Sequence, residues 1–115
     1  MKYSSQLKID LNSKQDNGET AFQQACMNGQ TEIAEIIIKN SSKMKIDLNG
    51  SCGETAFHFA CGDGNPEIAE MIMKNFSELK IDLNGKNSHD ETGFFQACYW
   101  GHFDVAEVIM KKALE

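Results

Sequence analysis

The sequence lacks most features that would assign a common function outright. No apolar run approaches the roughly 20 residues that a membrane helix needs, and the longest centres on Ile36-Ile37-Ile38. This argues against a membrane partner. The opening Met1-Lys2-Tyr3-Ser4-Ser5-Gln6-Leu7 carries no apolar stretch of the kind that directs secretion. There is no excess of positive charge: the formal net charge is −6. Nucleic acid is therefore not an expected partner, because its binders carry a basic face that neutralises phosphates. An acidic surface favours encounter with basic partners instead. No glycine-rich phosphate loop, paired-carboxylate arrangement or metal-binding motif is present, so neither catalysis nor a cofactor is expected. The four cysteines avoid the closely paired spacing of a zinc site.

What is present is self-similarity. The string Lys-Ile-Asp-Leu-Asn occurs at 8–12, 45–49 and 80–84, and Gly-Glu-Thr-Ala-Phe occurs at 18–22 and 53–57. Asp90-Glu91-Thr92-Gly93-Phe94 answers the second string, and Ala-Cys steps fall at 25–26, 60–61 and 97–98. Glu19, Glu54 and Glu91 mark a period of 35 and then 37 residues, the two extra falling in a loop. A period of this length, kept through helices and relaxed only in a connection, marks stacked structural units.

Each unit opens with a polar, turn-forming segment (13–18, 50–53, 85–90). Thr20, Thr55 and Thr92 stand where an N-cap hydroxyl accepts from free backbone N–H groups. A short helix is predicted over 21–28, 56–63 and 93–100, closed by Gly29, Gly64 and Gly101 at positions that accept positive φ. A second helix follows, with Asn65-Pro66 as an N-cap and first-turn pair in the middle unit. Its apolar stripe is Ile33, Ala34, Ile36, Ile37 and Ile38, then Ile68, Ala69, Met71, Ile72 and Met73, then Val105, Ala106, Val108, Ile109 and Met110. Glu35–Lys39, Glu70–Lys74 and Glu107–Lys111 are spaced i,i+4 on the solvated face. Two such helices cannot bury their apolar sides within one unit. Phe22, Phe57 and Phe94, with the Ala-Cys steps, are expected to pack against the neighbouring unit. Cys26, Cys61 and Cys98 are read as reduced, buried, small hydrophobes, which fits the cytoplasm or nucleus.

These residues carry a specific resemblance. Gly18 to Gly29, Gly53 to Gly64 (which keeps a histidine, His58) and Glu91 to His102 (which keeps Gly101-His102) resemble the Gly-x-Thr-Pro-Leu-His-x-Ala-Ala-x-x-Gly-His pattern of ankyrin repeats. The family's proline is replaced by Ala21, Ala56 and Gly93, its leucine by phenylalanine. A longer segment (40–44, 75–79) stands where the family has Gly-Ala after the second helix. The resemblance implies an all-α repeat solenoid of stacked β-hairpin and helix–turn–helix units. The expected division is 1–12 as the tail of a preceding repeat, then repeats at 13–49, 50–84 and 85–115, in a fragment of a larger protein.

The resemblance further implies protein binding on a concave surface of hairpin tips and exposed first-helix positions. Carried over, the tips are Asp16, Asn17 and Glu19; Ser51, Cys52 and Glu54; and Ser88, His89 and Glu91. The helix positions are Met27 and Asn28, Gly62 and Asp63, and Tyr99 and Trp100. Tyr99-Trp100 is the sharpest candidate, because interface hot spots favour these residues; the alternative is that Trp100 caps the last repeat. The acidic tips imply a partner segment containing Lys or Arg. The rival to a binding module is a structural spacer, self-associating through its terminal repeats. His58 and His102 are read as structural. Cys52 with His89 is the one nucleophile–base pairing worth naming, and hairpin tips about 10 Å apart put it beyond hydrogen-bond reach.

Overall fold

The computed structural model describes residues 9–44, 46–48 and 54–115. Six helices follow one another: α1 (Ala21–Met27), α2 (Thr31–Met44), α3 (Ala56–Gly62), α4 (Pro66–Leu79), α5 (Gly93–Tyr99) and α6 (Phe103–Ala113). Each threonine predicted as an N-cap acts as one. Thr20, Thr55 and Thr92 accept from the backbone N–H of Gln23, His58 and Phe95 at 3.3, 3.4 and 3.2 Å. The closing glycines sit at φ +68° (Gly29), +75° (Gly64) and +72° (Gly101), where a side chain would be strained.

The segments at 40–44 and 75–79 extend the second helix. Both α2 and α4 are 14 residues long and run through them. Lys80, at φ 57°, then ends α4 in left-handed geometry, and the Ile81 N–H bonds the Phe76 carbonyl at 3.0 Å. Beyond that stop, the repeated Lys-Ile-Asp-Leu-Asn string drops Ile81 and Leu48 into the core. Two of its aspartates, Asp10 and Asp82, are turn formers that accept from the N–H of Asn12 and Asn84 at 2.9 and 3.0 Å, and Asp47 lies 3.8 Å from the Lys14 ammonium.

The helices form two parallel files. In one, α1 packs on α3 and α3 on α5; in the other, α2 packs on α4 and α4 on α6. Within each repeat the two helices also pack together, giving a stack 44 × 31 × 21 Å. The first and third hairpins are reduced to their turns. Among the described residues one antiparallel bridge joins Lys14 and Thr20, and the Asn87 N–H bonds the Glu91 carbonyl at 2.9 Å. No extended strand occurs among the described residues.

Stacking gives every repeat a forward and a backward face. On the forward side, Phe22, Phe57, Cys26 and Cys61 are sealed by the following repeat. The fit is close: a Cβ on Gly93 would sit 2.8 Å from the Phe57 ring and 3.0 Å from Cys61 Sγ. Gly93 stands where the first two repeats have Ala21 and Ala56. On the backward side, Ile68 and Val105 are wholly buried.

Where the described residues supply no neighbouring repeat, the same positions emerge into solvent. Phe94 is 39% exposed and Cys98 is exposed, contrary to the expectation that they pack like their counterparts. At the other end Ile33 and Ile36, read as part of an apolar stripe, are 51% and 62% exposed. Their chemistry is that of core residues; the described chain supplies nothing to cover them.

Candidate functional site: a cleft between the second and third repeats

The cleft is built on polar braces that run from each repeat to the next. In the first repeat, Gln23 Oε1 accepts the Thr20 N–H at 2.9 Å while its Nε2 donates to the Glu54 carbonyl at 2.8 Å. His58 does the same work one repeat later. Its Nε2 lies 2.9 Å from the Glu91 carbonyl oxygen and its Nδ1 lies 3.1 Å from the Thr55 backbone nitrogen. A carbonyl can only accept and a backbone N–H can only donate, so the ring is the neutral tautomer with its proton on Nε2. Both side chains are almost completely buried, which makes these braces costly to remove.

A second set of braces runs backwards. Asn65 Nδ2 donates to the Cys26 carbonyl at 2.6 Å, and His102 Nε2 donates to the Gly62 carbonyl at 2.9 Å. Asn65 therefore does not cap α4 with its side chain, as its position next to Pro66 suggests; the amide is spent on the preceding repeat. The structural reading of His58 and His102 holds. One of the three expected helix-face ion pairs is also redirected. Glu35–Lys39 and Glu107–Lys111 form at 3.5 and 3.8 Å, whereas Glu70 pairs across the repeat boundary with Lys112 at 3.6 Å.

These braces leave a cleft of about 410 Å³ between the first helices of neighbouring repeats. Five of the positions expected on the partner-binding surface line it: Met27, Glu54, Gly62, Asp63 and Trp100. Phe59 and Gln96, which sequence reasoning did not single out, stand among them. Both occupy one repeating position, held in the first repeat by Gln24. Its change from amide to aromatic was the available signal. Gly62 keeps the wall thin, since a Cβ there would lie 2.8 Å from Gln96 Oε1. Burial lifts the Asp63 carboxyl above the ordinary carboxylate value, and the charge of the nearby His102 ring pulls it partly back.

The other candidates sit apart from this cleft. Glu19 and Glu91 are tied to their own helices: Gln24 Nε2 donates to Glu19 Oε1 at 2.6 Å and Gln96 Nε2 to Glu91 Oε1 at 2.5 Å. Asn17 is a turn former whose Oδ1 accepts the Glu19 N–H, and Asn28 closes α1. Asp16, Ser88 and His89 are exposed at the tips. Ser51 and Cys52 lie outside the described residues, and with them the pairing of Cys52 with His89.

An aromatic ledge adjoins the cleft. Phe95 stacks on Tyr99 with centroids 6.1 Å apart, and Tyr99 meets Trp100 edge-to-face at 5.0 Å. Trp100 remains 61% exposed and Tyr99 68%, so Trp100 is not folded away as a cap. Phe95 holds the position of Gln23 and His58, the forward brace.

A family model described as ankyrin repeats in three copies matches residues 3–80 and 43–115, spanning nearly the whole chain. The chain belongs to the ankyrin-repeat family. Such repeats are in general protein–protein interaction modules and typically lack catalysis. A search of curated proteins finds no match. No helix among the described residues is long and apolar enough to cross a membrane, and no group of three His, Cys, Asp or Glu side chains there is arranged to hold a metal ion. Burial pushes the Cys26 and Cys61 thiols up to about 12, where they are inert as nucleophiles.

Proposed function

We propose that this ankyrin array is a non-catalytic cytoplasmic or nuclear module that holds a basic segment of another protein along its concave side. The observation that carries this reading is the pairing of an exposed Tyr99–Trp100 ledge with a cleft that contains Glu54 and Asp63. The aromatics supply contact area with few rotatable bonds, and the carboxylates supply charge complementarity. The array itself is preformed by packing and braces, so little ordering is needed on association.

The test is a double Tyr99→Ala/Trp100→Ala substitution, with circular dichroism confirming an intact fold. Partner capture falls at least about tenfold, as expected for removal of two hot-spot aromatics, and wild-type affinity drops as salt is raised. Capture unchanged by the substitution, or affinity that rises with salt, contradicts the reading.

A second reading, a spacer that self-associates, draws on the uncovered ends. Phe94 and Cys98 expose the forward face while Ile33 and Ile36 expose the backward one, so the ends are complementary and a head-to-tail contact repeats the internal packing. Sedimentation that remains monomeric across a wide concentration range contradicts it.

A further inference from the structure

We infer that the cleft between the second and third repeats is a receptor for a single arginine side chain of the bound segment, with the guanidinium stacked on Trp100 and held by the carboxylate of Asp63. This deepens the concave-binding reading and rests on it. Four observations converge. The lining contains Phe59 and Trp100, the carboxylates of Glu54 and Asp63, and the imidazoles of His58 and His102, both of which are held in braces between repeats, but no lysine. The chain has no arginine at all, so nothing of its own can place a guanidinium there. The ion pairs among the described residues lie on the outer helix faces, the repeat boundary and the hairpins, and none reaches Asp63. Trp100 presents most of its surface to solvent beside this charge, although an indole buried against its own fold would cost less exposed apolar area.

The preference for arginine over lysine follows from the surroundings. A guanidinium is planar, stacks on an aromatic face, and sheds water more readily than an ammonium. The cleft is partly enclosed, so the more weakly hydrated cation loses less on entry. Asp63 is already partly desolvated, and a cation beside it restores favourable interaction for its charged form. Gln96, tethered to Glu91 at 2.5 Å, fixes one wall so that the pocket does not need to be assembled by the ligand.

The probe is N-acetyl-L-arginine amide, titrated into the ¹⁵N-labelled chain by NMR, with N-acetyl-L-citrulline amide as the neutral isostere and N-acetyl-L-lysine amide as the other cation. Saturable shifts are expected at the Trp100 indole N–H and at the amides of Phe59, Asp63 and Gln96. Citrulline binds about tenfold more weakly and lysine about threefold more weakly, the range of a cation over an aromatic face. Asp63→Asn and Trp100→Ala, both at exposed positions, each weaken arginine binding by about threefold or more without changing the remaining spectrum. The inference is overturned if citrulline or lysine matches arginine, if the shifts spread over the acidic tips, or if neither substitution matters. Loss of this site with partner capture still dependent on Tyr99 and Trp100 removes the arginine receptor alone. Arginine binding at the cleft, combined with capture indifferent to Tyr99 and Trp100, removes the concave-binding reading.

Discussion

The second and third repeats share a sequence pattern and differ in their neighbours. Phe57 is 3% exposed and Phe94 39%; Cys61 is sealed and Cys98 open; His58 braces the next hairpin while Phe95 stands half in solvent. The first two contrasts arise from position alone, since the residues are identical. The third is a change of chemistry as well, because the brace residue is replaced where no described hairpin is available to receive it. In a stacked array, burial belongs to the interface between units and not to the residue.

The comparison can be broken most sharply at the paired phenylalanines. Phe57→Ala should cost about 3–5 kcal/mol, the range for a large buried ring, whereas Phe94→Ala should cost about 1 kcal/mol or less because much of its ring is already wet. Chemical denaturation of the two variants measures both, and equal losses would refute the distinction. The braces come next. His58→Ala should cost about 1–3 kcal/mol by leaving buried polar groups unmatched. His58→Gln should recover most of that loss, because Gln23 makes the same pair of bonds one repeat earlier. At the third repeat, Phe95→Gln gains no brace, having no hairpin to reach, and should cost about 0.5–1.5 kcal/mol through the lost stacking on Tyr99.

The smallest perturbation leaves stability untouched and reads exposure directly. Brief alkylation of the native protein near neutral pH should modify Cys98 and spare Cys26 and Cys61, whose thiols burial holds at about 12. Peptide mass spectrometry locates the adducts. Modification of Cys61 at a rate similar to that of Cys98 would mean that the third repeat does not seal the second.

Local chemistry was legible in the sequence because it depends on neighbours in the chain. The threonine caps and the positive-φ glycines follow from residue type and spacing, and they stand where the period puts them. Features set across repeats were not legible. Asn65 looks like an N-cap until the Cys26 carbonyl comes within reach, and Glu70 looks like a partner of Lys74 until Lys112 arrives from the next helix. The end of the second helix was hidden for a different reason. Residues 40–44 and 75–79 are polar enough to read as loop, yet they continue their helices, the second of them until Lys80 turns left-handed. At the candidate site, Met27, Asp63 and Trp100 were visible as departures from the repeat and Glu54 as a member of the repeated Gly-Glu-Thr string, but Phe59 and Gln96 needed the stacked geometry that places them in one wall.

Native-state amide hydrogen exchange tests the stacking claim most directly, because it reports protection helix by helix. The account predicts that α3, held between α1 and α5, exchanges most slowly of the three first helices, with α5 opening well below the global unfolding free energy. Protection of α5 equal to that of α3, or uniform protection across all six helices, would contradict an array stabilised by its nearest neighbours.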